Sequence, residues 1–586
     1  MQVTRIFDLL PYYKTTFDLK DDVLAGKEKG EWVKYDIDQY IDIVNNISYG
    51  FLKLGVKPGD KIATISPNRP EWNFLDMAIS GIGAIHVPIY PTISEADYTY
   101  ILNHAEVKFV FVSGEELLRK IRHILPQVKS LEGLYTFKHI DDVKHLQELV
   151  DLGSANPDPD EVAKRQAAID RHDMVTIIYT SGTTGTPKGV MLSHDNMLSN
   201  SKAVLHIFPL DQYCKAISYL PMCHVYERTN IYTYHLLGVS IYYAENMGTI
   251  GDNIREISPH ILTTVPRLLE KVYDKIMTKG SKLKGIKKTL FYWAVGLGLK
   301  YKEKGNGSFY KMKLAIANKI IFSKWRDALG GNMRVVVSGG AALQPRLAKV
   351  FTAGKIPVLE GYGLTETSPV IAVNTFEKGG LAFGTVGKPL YNVEVKIGDD
   401  GEILAKGPCV MKGYFKEPEM TAEVINNDGW FHTGDIGVLE PEGHLRITGR
   451  KKEIFKTSLG KYISPAQIEN KFTESPFIDA IIVVGEHQKY AAALIVPDFE
   501  HLRMWCHNEG IKYTSKDAMV KEKVVKDRFK QEVDHFNSFF GATEKIMRFN
   551  IMDTEWSVES GELTASLKLR RGYIMEKYKA KIASLF

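Results

Sequence analysis

Cysteine is scarce in this chain of 586 residues. Only four are present, at positions 214, 223, 409 and 506, and no two of them form a C-x-x-C pair. So few thiols cannot provide a disulfide framework for a chain of this length. We therefore expect four packed, unpaired cysteines in a reducing compartment.

A strong excess of charge of one sign is also missing. The chain has 75 lysines and arginines against 70 acidic residues, and its net charge is +5 at pH 7. Over a mass of 66.1 kDa this charge is too small to indicate nucleic-acid binding. The composition is 44% hydrophobic and 25% charged, which excludes a disordered or fibrous chain. The length suggests about three to five structural units.

Long hydrophobic runs are absent. The longest, such as 480–484 and 491–497, are far shorter than the roughly 20 residues that span a bilayer. The first residues lack the apolar region and the small-residue cleavage site of a signal peptide. We therefore expect a cytoplasmic protein. Peripheral contact with the inner face of the membrane is a further prediction, which depends on one basic segment.

The basic segment covers residues 271–330. It contains fifteen lysines or arginines and three acidic residues, a net charge of +12, which leaves −7 for the rest of the chain. Nine phenylalanines, tyrosines and tryptophans are interleaved with the basic residues. Such a composition suits a surface for anionic lipid headgroups. The alternative, which the sequence leaves open, is a solvated helical face with an ordinary buried side.

Apolar β-branched runs alternate with helix-like stretches along the chain, which predicts an α/β fold with mostly parallel sheets. The predicted strands cover residues 61–66, 108–113, 174–180, 216–220, 333–338 and 393–397. Glycines become frequent after Gly429, and the chain becomes more charged after Arg450. We therefore predict two domains, 1–448 and 449–586.

A loop rich in glycine and hydroxyl groups follows the predicted strand 174–180. Its sequence, SGTTGTPKG at 181–189, lets backbone N–H groups approach a polyphosphate, and Lys188 adds a positive charge. It is not a Walker A loop, because Gly189 stands where that motif has the Ser or Thr that binds Mg²⁺. The loop is therefore predicted to bind phosphate in another kind of site.

Six motifs in a set order carry a resemblance to a known family. The segment 179–190 (YTSGTTGTPKGV) resembles the signature loop of the adenylate-forming, AMP-binding superfamily. The family's other motifs are matched in the expected order by YLPMCHVYE at 219–227, SGGAA at 338–342, EGYGLTE at 360–366, GWFHTGD at 429–435 with Gly449-Arg450, and GKYIS at 460–464. The phrases at 264–273, 361–369 and 411–418 look like those of long-chain fatty acyl-CoA synthetases. This resemblance implies a large N-terminal domain of α/β sheets with a β-barrel-like subdomain, and a small, mobile α+β C-terminal domain.

The resemblance also implies roles for individual residues. Glu366 matches the Mg²⁺ ligand, Thr365 a hydrogen-bond donor to the α-phosphate, and His224 the residue at the carboxylate end of the acyl pocket. A satisfied core histidine is the alternative for His224. The implied phosphate-binding residues are Thr180, Ser181, Gly182, Thr183, Thr184, Gly185 and Lys188. The implied adenine- and ribose-binding residues are Gly339, Gly340, Ala341, Tyr362, Gly363, Asp435 and Arg450.

The C-terminal part carries a candidate catalytic lysine. The segment 562–571 (ELTASLKLRR) resembles the ending of long-chain synthetases, with Lys568 at the catalytic position. Ala565 stands where the family usually has proline, and Leu567 where many relatives have glycine. Lys452 matches the family's hinge position, and Gly460 matches the glycine that lets the pantetheine of coenzyme A approach.

The function implied by the resemblance is ATP-dependent activation of a long-chain fatty acid to acyl-AMP, then thioester formation with coenzyme A. The reactants and cofactors would be ATP, Mg²⁺, coenzyme A and the fatty acid. An acyl carrier protein as the acceptor is one alternative. A module that keeps a nucleotide-binding fold without turnover is the other, although it would be free to lose Lys568, Glu366 and Asp435, and all three are present.

Overall fold

The structure is a computed structural model that describes residues 2–180, 186–246, 248–564 and 568–586. The strands of the described residues are β1 (Leu24–Glu28), β2 (Glu31–Tyr35), β3 (Lys61–Ile65), β4 (Ile85–Ile89), β5 (Val107–Val112), β6 (Gly133–Thr136), β7 (Lys144–His145), β8 (Met174–Thr180), β9 (Lys188–Ser193), β10 (Lys215–Ser218), β11 (Ser240–Tyr243), β12 (Ile261–Thr264), β13 (Val335–Ser338), β14 (Val358–Gly363), β15 (Val370–Val373), β16 (Lys388–Pro389), β17 (Glu394–Ile397), β18 (Glu402–Lys406), β19 (Gly413–Tyr414), β20 (Phe431–Leu439), β21 (Leu445–Arg450), β22 (Phe455–Lys456), β23 (Tyr462–Ile463), β24 (Ile478–Val484), β25 (Ala491–Pro497) and β26 (Ile546–Ile551).

The α-helices, again of the described residues, are α1 (Leu9–Thr16), α2 (Ile37–Lys53), α3 (Pro70–Gly81), α4 (Glu95–His104), α5 (Gly114–Ile124), α6 (Leu146–Ser154), α7 (Pro159–Ala168), α8 (His194–Ala203), α9 (Val225–Leu237), α10 (Ile250–Ile257), α11 (Pro266–Ser281), α12 (Gly285–Leu299), α13 (Ser308–Ala317), α14 (Ser323–Ala328), α15 (Pro345–Ala353), α16 (Pro418–Val424), α17 (Pro465–Phe472), α18 (Phe499–Asn508), α19 (Lys516–Lys521), α20 (Lys523–Asn537), α21 (Arg571–Lys577) and α22 (Lys579–Ala583). All six predicted strands are confirmed to within two residues at each end, and β8 matches its prediction at both ends.

Two large sheets form most of the first part of the chain. One has eight strands in the order β19-β9-β8-β4-β3-β5-β6-β7, and the other has nine in the order β16-β15-β14-β13-β12-β10-β11-β1-β2. Their central pairs are parallel, and antiparallel pairs occur only towards their edges. Central strands such as β4 are buried along their whole length, as strands covered on both faces must be. The predicted α/β class with mostly parallel sheets is confirmed.

Smaller sheets follow. A four-stranded sheet has the order β17-β18-β20-β21, a two-stranded sheet pairs β22 with β23, and a three-stranded sheet has the order β24-β25-β26. Helices α17 to α20 contribute to the core that covers one face of the three-stranded sheet, where Phe472, Phe477 and Phe529 are buried against Ile481 and Ile495. This last part therefore combines helices with a mixed sheet and has its own hydrophobic core.

The described chain forms two compact units. The first comprises residues 1–395, 404–431 and 441–445, and the second comprises 396–403, 432–440 and 446–586. The domain boundary between residues 448 and 449 stays a prediction. All four cysteines are buried and free, as expected. Among the described residues, no helix combines the length and the hydrophobicity that crossing a bilayer requires.

Candidate active site

Two predicted motifs of the first unit, 338–342 and 360–366, lie where neighbouring parallel strands of the nine-stranded sheet end. Strand β13 ends at Ser338, directly before Gly339, and strand β14 leads through Tyr362 into Thr365. Ser338 is the register partner of Glu360 on β14. Ligands of open α/β sheets bind outside the carboxyl ends of the strands. The fold therefore brings the predicted adenine-binding segments together at a ligand-binding edge.

Close packing explains Gly339, and backbone conformation explains Gly340. A Cβ atom on Gly339 would lie 3.2 Å from the ring of Tyr226, whose hydroxyl donates a hydrogen bond to the Val337 carbonyl at 3.0 Å. Gly340 has a φ of +81°, in the region that favours glycine. The backbone here is thus shaped by Tyr226, a residue of the 219–227 motif to which the sequence analysis assigned no role.

Glu360 connects the two adenine segments. Its buried carboxyl group accepts a hydrogen bond through Oε1 from the backbone N–H of Leu343 at 2.9 Å, just beyond the segment 338–342. Burial raises the pKa of Glu360 to about 8, so the carboxyl is largely protonated at neutral pH. Glu360 was not predicted as a site residue, although it is the first residue of the EGYGLTE motif.

The phosphate-binding loop is anchored by an antiparallel pair of strands. Thr180, the last residue of β8, is the register partner of Lys188, the first residue of β9. Five of the predicted phosphate-binding residues, Ser181, Gly182, Thr183, Thr184 and Gly185, lie outside the described residues. The strand that was predicted to lead into the loop is confirmed.

Tyr414 brings Lys188 and Glu366 to one place. The ammonium nitrogen of Lys188 lies 5.1 Å from the centroid of the Tyr414 ring, and the Tyr414 hydroxyl donates to Glu366 Oε1 at 2.9 Å. Tyr414 belongs to β19, which pairs with β9, the strand that begins at Lys188. The predicted phosphate lysine and the predicted Mg²⁺ ligand therefore share one buried phenol. Tyr414 lies in the phrase at 411–418, but no role was predicted for this residue itself.

Glu366 lies in a short 3-10 turn, Thr365–Thr367, next to buried Thr365. Its carbonyl accepts from the backbone N–H of Met411 at 2.8 Å, which fixes the turn against the segment that precedes Tyr414. Among the described residues, no group of three or more His, Cys, Asp or Glu could hold a metal. A single carboxylate that shares a cation with phosphate oxygens needs no such group, and this donor set fits Mg²⁺.

His224 is the N-cap residue of α9. Its Nδ1 accepts a hydrogen bond from the backbone N–H of Tyr226 at 3.1 Å, so the neutral ring carries its proton on Nε2 and can donate from there. Asn68 holds the segment that precedes His224, because its side-chain amide donates to Ser218 Oγ at 2.9 Å and to the Leu220 carbonyl at 2.7 Å. Asn68 was not predicted. Its signal is its position just beyond the carboxyl end of β3.

A buried ionic network fixes α9, the helix that His224 caps. Asp76 accepts hydrogen bonds from the Arg228 guanidinium at 2.5 Å and from the Tyr232 hydroxyl at 2.6 Å, and its Oδ1 lies 2.7 Å from His86 Nδ1. Burial alone would raise the pKa of Asp76, but Arg228 and His86 outweigh it and lower this pKa to about 2. The carboxylate is therefore ionised, and it ties α9 to α3 and β4.

The second unit places the two predicted ribose-binding residues side by side. Arg450 is the last residue of β21, and Asp435 lies within β20. Arg450 Nε lies 3.4 Å from Asp435 Oδ1. Glu402 supports them, since its buried carboxylate accepts from the backbone N–H of Gly434 and from the Lys451 ammonium, both at 2.9 Å. Glu402 was not predicted as a site residue. Its partner Lys451 immediately precedes Lys452, the predicted hinge residue. Gly460 has a φ of +78°, which favours glycine at that turn.

Lys568 is exposed and belongs to the second unit. Its backbone N–H donates to Thr564 Oγ1 at 3.0 Å, and its carbonyl accepts from the backbone N–H of Thr564 at 2.8 Å. Lys577, which lies beyond the motif, forms an ion pair with Glu562 at 2.7 Å. Lys577 thus has a structural role in the ion pair with Glu562. Lys568, which holds the motif position, remains the predicted catalytic lysine.

Comparisons with known proteins agree with this geometry. The family described as AMP-binding enzyme matches residues 20–415, and its C-terminal domain family matches residues 452–586. A long-chain-fatty-acid–CoA ligase of Mycobacterium bovis, FadD15, is 31% identical over 567 residues, which cover 95% of this chain and 93% of that protein. A peroxisomal long chain acyl-CoA synthetase 7 of Arabidopsis thaliana is 31% identical over 92% of this chain and 80% of that protein.

Solved structures show the same fold at lower identity. The adenylation domain of a carboxylate reductase from Mycobacterium chelonae superimposes with a TM-score of 0.78 at 22% identity, covering 99% of this chain and 91% of that one. An anthranilate CoA ligase, AuaEII, in complex with anthranoyl-AMP has a TM-score of 0.73 at 18% identity, with 99% and 98% covered. From its ordered motifs, its fold and its relatives, this chain belongs to the AMP-binding enzyme family, and its curated relatives include long-chain fatty acid–CoA ligases.

Proposed function

We propose that this chain is a long-chain fatty acid–CoA ligase, which uses ATP to activate the acid and coenzyme A to accept it. The observation that carries the proposal is the meeting of Lys188, Tyr414 and Glu366 beside the strand ends that lead to Thr365. A cation and a carboxylate held at one phenol suit a polyphosphate and its metal ion.

In the first step, a carboxylate oxygen of the fatty acid attacks the α-phosphorus of ATP, and pyrophosphate leaves as acyl-AMP forms. Both reactants are anions, so neutralising their charge should dominate catalysis. We assign this role to Lys188 and Lys568, while His224 Nε2–H orients the incoming carboxylate and Thr365 donates to the α-phosphate. The phosphate loop, with Thr180 at its base, holds the pyrophosphate end.

Other residues hold the nucleoside. The adenine lies against Tyr362 and Gly363, and against the segment of Gly339, Gly340 and Ala341. Asp435 accepts from the ribose hydroxyls, and Arg450 supports it. Glu366 is the residue that holds Mg²⁺, and the ion, when bound, neutralises phosphate charge.

In the second step, the sulfur of coenzyme A attacks the acyl carbonyl carbon of acyl-AMP, a thioester forms, and AMP leaves. A lysine on a separate domain must withdraw for this step. We assign residues 1–448 to binding of the acid and the nucleotide, and 449–586 to a mobile domain that turns at Lys452. Gly460 then allows the pantetheine chain to approach.

Pyrophosphate release with ATP, Mg²⁺ and palmitate, with and without coenzyme A, tests the reaction. We expect release that depends on palmitate, turns over only with coenzyme A, and is lost in Lys568→Ala. A single turnover that coenzyme A cannot relieve would indicate a carrier-protein acceptor instead. An absence of acid-dependent release at any chain length contradicts the proposal.

A partner is also proposed for the basic segment 271–330, namely an anionic membrane surface from which an amphiphilic acid is collected. Helix α13 exposes an apolar stripe at a spacing of three and four residues, where Phe309 is 65%, Met312 53% and Ile316 48% exposed. Lysines flank the stripe, and Lys313 Nζ lies 4.1 Å from the Phe309 ring centroid. Exposed apolar residues among lysines suit the boundary between headgroups and acyl chains.

Vesicle sedimentation tests this surface. We expect binding to vesicles that contain phosphatidylglycerol, weak binding to neutral phosphatidylcholine vesicles, and loss of binding in Phe309→Ser/Met312→Ser. The matched control is Phe539→Ser/Met547→Ser, which changes exposed apolar residues of the second unit. Equal binding of both double variants to anionic vesicles argues against this surface, while the ligase activity stays a separate question.

A further inference from the structure

We propose that Glu562 is the positioning residue of Lys568, so that it controls the adenylation step without touching the reactants. This inference rests on the proposed function, because it acts through the lysine assigned to that step. Neither the motif nor the family resemblance gives Glu562 such a role.

The backbone of Lys568 flanks a single antiparallel β-bridge between Leu563 and Leu569, which with its hydrogen bonds we call the ladder. The backbone N–H of Thr564 donates to the Lys568 carbonyl at 2.8 Å, and the backbone N–H of Lys568 donates to the Thr564 side-chain hydroxyl at 3.0 Å. Residues 562–564 are therefore joined to residues 568–570. Because the carbonyl of Lys568 bonds to the Thr564 backbone and its N–H bonds to the Thr564 hydroxyl, these contacts set where its side chain begins.

Glu562 lies at the base of this ladder. Its carbonyl accepts from the backbone N–H of Arg570 at 2.7 Å. Its carboxylate is buried, with 1% of the residue exposed, and Oε1 accepts from Lys577 Nζ and from the Tyr578 hydroxyl, both at 2.7 Å. Oε2 accepts from the hydroxyl of Ser560. Glu562 thus connects the ladder to Lys577, the last residue of α21, and to Tyr578, which lies between α21 and α22.

The electrostatics favour an ionised anchor. Burial alone would raise the pKa of Glu562, but hydrogen bonds from Lys577, Ser560 and Tyr578 outweigh it and lower this pKa. A buried carboxylate with three donors is expensive to leave partly satisfied, so its geometry is well defined. On the other side of the ladder, Arg571 donates to the Val483 carbonyl at 2.9 Å, and this contact ties the same segment to β24.

Catalysis by a positioned cation depends strongly on distance, and a displacement of about 1 Å can cost on the order of a hundredfold in rate. A change at the base of the ladder should therefore reduce the step that uses Lys568. The thioester step does not use this lysine in the proposed mechanism. Selective loss of adenylation is the signature that separates positioning from general stabilisation.

The test is Glu562→Gln, which keeps the shape of the side chain and removes its charge. Adenylation is measured as palmitate-dependent pyrophosphate release in a single turnover, and thioester formation is measured separately from synthetic palmitoyl-AMP and coenzyme A. We expect adenylation to slow by about tenfold or more and thioester formation to change by less than twofold. A second readout, independent of activity, is faster trypsin cleavage after Lys568.

The matched control is Glu532→Gln in the same unit. Glu532 is also buried, accepts from Ser475 Oγ at 2.7 Å and pairs with Arg528, far from the ladder in sequence. The inference is overturned if Glu562→Gln slows both half-reactions equally, if Glu532→Gln slows adenylation as much, or if adenylation stays within twofold of wild type. Lys568→Ala, measured in parallel, separates the two proposals. Its full activity would contradict the catalytic assignment itself, whereas its inactivity beside an active Glu562→Gln would refute only the positioning role.

Discussion

Replacing Tyr414 by phenylalanine removes one hydroxyl from the site and leaves the ring under Lys188 in place. The hydroxyl donates to Glu366 Oε1 at 2.9 Å, and Tyr414 is buried, with 6% of the residue exposed. A hydrogen bond to a charged group contributes about 1.5–3 kcal/mol. If the carboxylate must be held in this orientation to bind the metal–nucleotide complex, the loss corresponds to about a 10- to 150-fold decrease in kcat/KM for ATP.

Palmitate-dependent pyrophosphate release at varied ATP and Mg²⁺ measures this effect. We also expect the Mg²⁺ concentration for half-maximal activity to rise, because Glu366 is the residue assigned to the ion. Tyr13→Phe is the matched control, since the buried Tyr13 hydroxyl donates to the Gly238 carbonyl at 3.1 Å in a structural contact. A decrease of less than twofold in Tyr414→Phe, or an equal decrease in the control, would refute the assignment of Tyr414 to the site.

Three further predictions follow from the network, the adenine segments and the ribose pair. Arg228→Met leaves the Asp76 carboxylate buried without its cation, so we expect the free energy of unfolding to fall by about 3–5 kcal/mol in chemical denaturation. Recovery of stability in Asp76→Asn/Arg228→Met would support an electrostatic cause. The pKa of Glu360 is raised to about 8 in the folded protein, from an unfolded-state value near 4.5. Its contribution to stability is therefore full below about pH 4.5 and is lost as the pH rises through about 8. We expect the thermal midpoint of Glu360→Gln to fall less steeply between about pH 5 and 8.5 than that of wild type. Asp435→Asn should raise KM for ATP by about tenfold or more with little change in the thermal midpoint, because Arg450 is half exposed; an unchanged KM would argue against the ribose role.

The sequence predicted the strands well, because buried parallel strands such as β8 and β13 appear as short apolar runs that end at glycine or serine. It also predicted the motif residues that follow those strands. It could not predict the contact between Tyr414 and Glu366, which depends on β19 pairing with β9 across more than two hundred residues. Long-range pairing of so short a strand leaves no periodic signal in the sequence.

The supporting carboxylates were missed for a related reason. Glu360, Glu402 and Glu562 are all buried, whereas charged residues are mostly exposed. Whether a glutamate is buried depends on the donors that surround it, such as Leu343 N–H or Lys577, and these are distant in sequence. Motif matching finds the groups that touch substrates, but their supports become visible only once the packing is known.

The pairing of Thr180 with Lys188 has a consequence for the number of residues that connect β8 to β9. The register leaves seven residues to connect the two strands. Successive side chains of a strand point to opposite faces of the sheet, so a one-residue slip of β9 would turn Lys188 away from Tyr414. A change in the number of connecting residues that shifted this register by one would therefore separate Lys188 from Tyr414, whereas exchanging a side chain between the strands leaves the register intact.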